Sequence, residues 1–158
     1  MRRSRVVAVL AAGGLAVAGC SAPGPAEVTF YGDGHTIRTA PIGNCDLKTG
    51  VCSANPGAAG TLKVRPGRSV QISVPKEVAE TPWKVTVQYV NGKGQPQPLQ
   101  EAIITSGDRY AYTAAPPAKD DQIVVVEIAQ ASVISRTGDP NDAEPITTAL
   151  WSLQVRPN

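Results

Sequence analysis

The chain has 158 residues, 42% of them hydrophobic and 18% charged, with 15 glycines and 14 prolines. That length holds one domain with a real core, and so many punctuating residues favour strands and turns over long helices. Of its 15 basic residues, Arg2, Arg3 and Arg5 sit in a start that is expected to be removed, which leaves 12 against 13 acidic residues and a net charge of −1. No basic run then remains to bind nucleic acid or to form a polybasic membrane patch.

The first element in chain order is a targeting segment. Behind the three arginines, residues 6–19 are uncharged and built mainly from Val, Leu, Ala and Gly. Fourteen residues are too few to span a bilayer, which takes roughly 20, but suit the apolar region of a signal peptide. Val17-Ala18-Gly19-Cys20 then matches the bacterial lipobox: an aliphatic residue, two small residues that fit a peptidase cleft, and a cysteine whose thiol takes a diacylglyceryl group. Residues after the arginine pair do not complete a twin-arginine motif, so the general secretory route is expected. This predicts a signal peptide over residues 1–19, lipidation of Cys20, a short tether over 20–26 and a single β domain over 27–158. Six residues of tether reach at most about 20 Å.

Period-2 alternation marks the strands. Val70, Ile72 and Val74 alternate with Ser69, Gln71 and Ser73, and Trp83, Val85, Val87 and Tyr89 alternate with Lys84, Thr86 and Gln88. Trp151, Leu153 and Val155 repeat the pattern near the end. Shorter strands are expected at residues 28–31, 35–40, 62–64, 99–105 and 109–113. The run 123–128 is β-branched almost throughout and reads as a central strand covered on both faces. Turn signals at Gly32-Asp33-Gly34, Pro66-Gly67, Asn91-Gly92 and Gly107-Asp108 separate these runs. Helical periodicity is confined to residues 76–80, one turn at most between Pro75 and Pro82. The expected architecture is an immunoglobulin-like or fibronectin-like antiparallel β-sandwich with Trp83 buried against the opposing sheet, the alternative being a small β-barrel.

Once Cys20 carries lipid, two thiols remain, Cys45 and Cys52, in a compartment where disulfides persist. A bridge between them is expected; it is too short for the inter-sheet bridge of antibody domains and would staple a loop or hairpin. A metal pair would lack further ligands, because His35 is the sole histidine.

The run Val28-Thr29-Phe30-Tyr31 followed by Gly34-His35-Thr36, the two cysteines, Val70-Gln71-Ile72-Ser73-Val74-Pro75, Thr81-Pro82-Trp83 and Arg109-Tyr110-Ala111-Tyr112 together resemble a family of actinobacterial lipoproteins defined only as a domain of unknown function. The resemblance covers essentially the whole mature chain. Its motifs are structural in character and carry over no catalytic residue.

No catalytic, cofactor or metal site is expected. His35 lies in a predicted strand beside a glycine turn, away from any evident nucleophile. Asp139, Asn141, Asp142 and Glu144 gather oxygen ligands, but their spacing fails the EF-hand pattern and reads as a solvated loop. The predicted role is therefore non-enzymatic: a lipoprotein on the extracytoplasmic face of the cell membrane, held by the lipid on Cys20. It would act as a binding module for an envelope protein or wall polymer, with residues 135–145 as the candidate surface. The alternative is a carrier of lipid or another apolar ligand in a cavity between the sheets, for which a continuous apolar space above about 300 Å³ is the mark.

Overall fold

Residues 24–158, apart from Ser106 and Arg136, are described by a computed structural model. The expected signal peptide, residues 1–19, and the expected lipidation site Cys20 lie outside the described residues. In chain order the strands are β1 (Val28–Gly32), β2 (His35–Thr39), β3 (Gly43–Asp46), β4 (Val51–Ala54), β5 (Gly60–Lys63), β6 (Val70–Ser73), β7 (Trp83–Val90), β8 (Gln100–Ile104), β9 (Ala111–Ala114), β10 (Gln122–Ile134) and β11 (Glu144–Arg156). One helical turn, α1 (Lys76–Ala79), links β6 to β7.

Two sheets result. One has the order β2-β1-β6-β9; the other runs β4-β3-β11-β10-β7-β8, with β5 joined to β11. Each ends in edge strands of its own, so the fold is a β-sandwich and not a closed barrel. Alternation drives the packing: Val28, Phe30 and Ile72 face inward from the first sheet, against Val85, Val87, Val126, Ile128 and Leu153 from the second. Trp83 and Trp151 are both buried, as expected for Trp83. The β1–β2 loop is Asp33-Gly34, both at positive φ (50° and 84°), the backbone that a two-residue hairpin turn requires.

Four features differ from the sequence expectation. β5 runs parallel to β11, the one departure from antiparallel pairing among the described strands. The run 123–128 is central, between β7 and β11, but its burial alternates: Ile123, Val126 and Ile128 are buried while Val124, Val125 and Glu127 are half-buried. A register shift between Ile123 and Val125 absorbs one residue, which is why the β-branched run reads as continuous. β3 and β4 had no alternation to announce them; they form a hairpin whose opposed residues Cys45 and Cys52 are joined by a disulfide. Finally, β10 and β11 continue well past their hydrophobic runs to 13 residues each.

That last feature gives the molecule two unlike ends. The chain enters at Ala26, whose carbonyl accepts a hydrogen bond from Trp151 Nε1 at 3.0 Å. At this same end Gln130 lies between Trp83 and Ala149, pairing with both. Beyond Gln130 only the β10–β11 ribbon continues, so Ala131 to Ile134 and their partners Glu144 to Thr147 form an arm past the core. The β3–β4 hairpin extends the same way, because Asn44 pairs with Ala149 and the chain then runs on to Cys45 and Asp46. At the far end lie the β1–β2 turn and the turn before β6.

The single-sided link between Trp151 and Ala26 predicts a local effect. Trp151→Phe should lower stability by about 1 kcal/mol, the worth of a net hydrogen bond, in denaturant titration. Hydrogen exchange should rise at Val28 ahead of the remaining β1 amides; unchanged exchange there would show that the bond does not hold the segment.

Candidate functional site

Two surface features stand out, one at each end. At the far end a cleft of about 460 Å³ is lined by Tyr31, Asp33, Arg65, Arg68, Ser69 and Gln71. Its geometry starts from the β1–β2 turn, which turns the Asp33 carboxylate back toward the β5–β6 connection. There Arg65 meets it three times: the backbone N–H and Nε donate to Oδ2 at 3.2 and 2.7 Å, and a guanidinium N–H donates to Oδ1. The Asp33 side chain keeps only 6% of its surface exposed, whereas that of Arg65 keeps 55%. The guanidinium hydrogen bonds hold the Asp33 carboxyl down at about 2, with Arg68 adding a weaker coulombic pull.

Gly67 lets this turn close. Its φ is +72°, and a Cβ there would lie 2.2 Å from the Lys119 carbonyl oxygen, while its N–H donates to the Asp121 carbonyl at 2.8 Å. Arg65 and Arg68 thereby flank one cleft. Arg65 is consumed by Asp33; Arg68 is exposed and has no ion-pair partner among the described residues. The cleft can therefore offer one guanidinium, a phenol, a hydroxyl and an amide to an acidic, hydrogen-bonding ligand.

At the near end, an apolar groove of about 290 Å³ lies at the base of the arm, lined by Pro82, Trp83, Ile103, Ala129, Ala131 and Pro145 among others. It is open and sits beside the outward-facing Ile103 and Lys84. The space between the sheets is occupied by the buried core side chains.

The residues singled out in the sequence fall as follows. Cys45 and Cys52 form the bridge on the near-end hairpin. His35 opens β2, exposed, opposite Gly32. The acidic loop turns its oxygens inward: Asp142 accepts from the hydroxyls of Ser135 and Thr137 and from the Thr137 N–H, and Asp139 accepts from Asn141 N and Nδ2, both at 2.9 Å. The Ser135 hydroxyl above all keeps the Asp142 carboxyl below its usual range. Among the described residues, no group of three or more His, Cys, Asp and Glu side chains could hold a metal ion. One spacing passed over in the sequence is Ser73-x-x-Lys76, which a serine–lysine pair would need; the Lys76 ammonium lies 3.4 Å from Glu80, a turn further on. The Asp33–Arg65 pair was not foreseen either. Its members are 32 residues apart, and only the Gly32-Asp33-Gly34 and Pro66-Gly67 turn signals on either side marked the two loops.

A two-layer β-sandwich with a polar far-end cleft and an apolar near end defines the class. The chain matches the family described as "Protein of unknown function (DUF2771)" over residues 21–156 and belongs to that family. Uncharacterized proteins from Mycobacterium bovis and Mycobacterium tuberculosis are each 27% identical over 138 residues, covering 84% of this chain and 79% of theirs. The actinobacterial link expected from the sequence therefore holds. No solved structure matches the chain.

Two outcomes follow from the cleft. Arg65→Gln should return the Asp33 carboxyl toward 3.8, read by NMR titration. Because Asp33 is depressed in the fold, its stabilising contribution is full above about pH 4 and fades as pH falls toward 2; the variant should lose that share of the acid dependence and show a shallower slope, the remainder coming from Asp46 and Asp142, which are also depressed. Gly67→Ala should destabilise by at least about 1 kcal/mol, since it forces a side chain onto positive φ, and a neutral result would remove the turn from this account.

Proposed function

We propose that this protein is a lipid-anchored extracytoplasmic lipoprotein whose sandwich is a non-catalytic binding module of the cell envelope. The observation that carries the reading is the placement of the polar cleft at the end of the sandwich opposite Ala26, where the chain enters. If the chain is fixed by Cys20, that end points away from the membrane. There Arg68 and its polar neighbours suit a carboxylate or phosphate on an envelope protein or wall polymer.

The non-catalytic part of the reading draws on side-chain placement. His35 is exposed at the start of a hairpin strand, and Lys76 is paired with Glu80. The carrier alternative receives no comparable support: the apolar groove is near 290 Å³ and lies on an outer face, not between the sheets.

Anchoring is tested by mass. The membrane-extracted chain should begin at Cys20 with an added diacylglyceryl mass; a free thiol there would remove the anchor from the reading. Binding is tested by crosslinking in the native envelope, with Cys20→Ala as the release control. A reproducible partner should be captured by the wild type and several-fold less by Arg68→Glu. Capture of nothing, or equal capture by Arg68→Glu, would reject the cleft as the contact.

A further inference from the structure

Burial does not explain the order of the two near-end hairpins. All four residues of β4 are exposed, yet the Cys45–Cys52 bridge locks that hairpin, and Lys48 N–H donates to Asp46 at 2.8 Å across its tip. The arm has its own fastening: Asp142 gathers Ser135 and Thr137, and the Ser135 hydroxyl oxygen accepts the Gly138 N–H at 2.8 Å. A two-stranded ribbon standing alone in water is marginal. Here two are stiffened locally and project in the same direction.

Both carry aliphatic side chains into solvent. Leu47 and Val51 flank the tip of the β3–β4 hairpin, and Val51 is 64% exposed. On the arm, Val133 is 60% exposed and opposes Pro145; Ala131 and Pro145 pass into the apolar groove that ends at Ile103, 73% exposed. Of the seven exposed large hydrophobic residues among those described, Leu47, Val51, Ile103, Tyr110 and Val133 lie at this end. Tyr110 belongs there because its carbonyl receives the Val74 N–H, just past the end of β6.

Chain length supplies the occupant. From Cys20 to Ala26 the tether spans at most about 20 Å fully extended, and about 13 Å as a flexible chain. The arm strands carry Ala131 to Ile134 about 13 Å past the core before the loop begins. Relaxed, the tether is no longer than the arm beside it, so the arm meets the surface to which the chain is fixed unless the tether is drawn toward full extension.

We infer that the near end is a seat for the lipid bilayer: the apolar side chains of the two stiffened hairpins rest in the headgroup region and hold the far-end cleft outward. The inference rests on the anchoring proposed above. The seat is apolar and not electrostatic. Its nearby carboxylates Asp46 and Asp142 are satisfied by their own loops, Glu27 pairs with Arg38 and Glu80 with Lys76, and the cations outside ion pairs among the described residues here, Lys48 beside Leu47 and Arg109 beside Tyr110, lie on separate loops. Few side chains enter, so lasting contact depends on the high effective concentration that the anchor provides.

The test uses the membrane-extracted lipidated chain reconstituted in vesicles containing a lipid-borne quencher. A fluorophore is placed by Val133→Cys, Leu47→Cys or Leu99→Cys, and labelled without reduction so that the disulfide survives. Quenching at positions 133 and 47 should exceed that at 99 at least threefold in phosphatidylcholine vesicles, and phosphatidylglycerol should not increase it. Val133→Asp should lower quenching at position 47. Equal quenching at 133 and 99, in a chain whose mass carries the diacylglyceryl group, overturns the seat and leaves the anchor standing. A chain lacking that mass fails the anchor first. If crosslinking from position 133 in the native envelope captures one polypeptide while quenching stays low, the near end is a protein interface and the lipid seat is wrong.

Discussion

The pairing of β10 with β11 is the constraint from which the rest of the molecule follows. Over its inner half the ribbon sets Val126 and Ile128 beside Leu153 and Trp151, all buried, and provides the edges on which β7, β5 and β3 assemble. Burying a side chain of this size stabilises by roughly 1.5–3 kcal/mol, so the ribbon's inner half is where the core's strength concentrates. Nothing equivalent supports its outer half. Pairing nevertheless continues past a register slip to Ile134 and Glu144, where the hydrogen bonds that Asp142 accepts from Ser135 and Thr137 close the loop.

Gln130 marks the change. Its place in the alternation is inward, after Val126 and Ile128, but a polar side chain there caps the core from below: Nε2 donates to the Glu77 carbonyl and to Thr81 Oγ1, both at 2.9 Å. The register slips between Gln130 and Ala131, and beyond that slip the pattern no longer answers to the core. α1, the turn before β7 and the root of the arm are thus joined by one amide. The extra residue at the slip is Thr148 on β11, so Thr147 and Pro145 turn onto the face that carries the groove, where Ala131 and Val133 already lie by alternation from Ala129.

Alternation made the core strands legible because one face of each is buried; β1, β6, β7 and the inner half of β11 fall where Val28, Val70, Trp83 and Trp151 announced them. β10 was misread as doubly covered for a physical reason: a bulge lets two consecutive valines, Val124 and Val125, sit half-buried without breaking the run. β3 and β4 were invisible as strands. Gly43-Asn44-Cys45-Asp46 has no periodicity, and the bond that holds it is covalent, readable from cysteine count but not as pairing. The far-end cleft needed two turns brought together across 32 residues, which composition foretells only as turns. The acidic loop was legible as a loop, while its role as the clasp of an arm was not, since that depends on Asp142 facing Ser135 and Thr137.

Order costs entropy wherever it is imposed, about 1–2 kcal/mol for each residue fixed, and a chain ordinarily recovers that cost through burial. The near-end hairpins recover little in this way. They are instead held by a disulfide, which by its short loop contributes about 2.5 kcal/mol, and by a carboxylate that draws two hydroxyls and an N–H together. Such fastenings act within each hairpin and not between hairpin and core, so they preserve shape where the fold itself does not require it. At the opposite end Asp33 does the same for Arg65, leaving Arg68 outside the pair. The two ends are alike in physics and opposite in chemistry: a carboxylate within one loop orders an arm that carries aliphatic side chains into solvent, and a carboxylate joining two loops orders a cleft that Arg68 lines. A domain whose ends differ in this way has a direction, and Ala26, where the chain enters, lies at the apolar end.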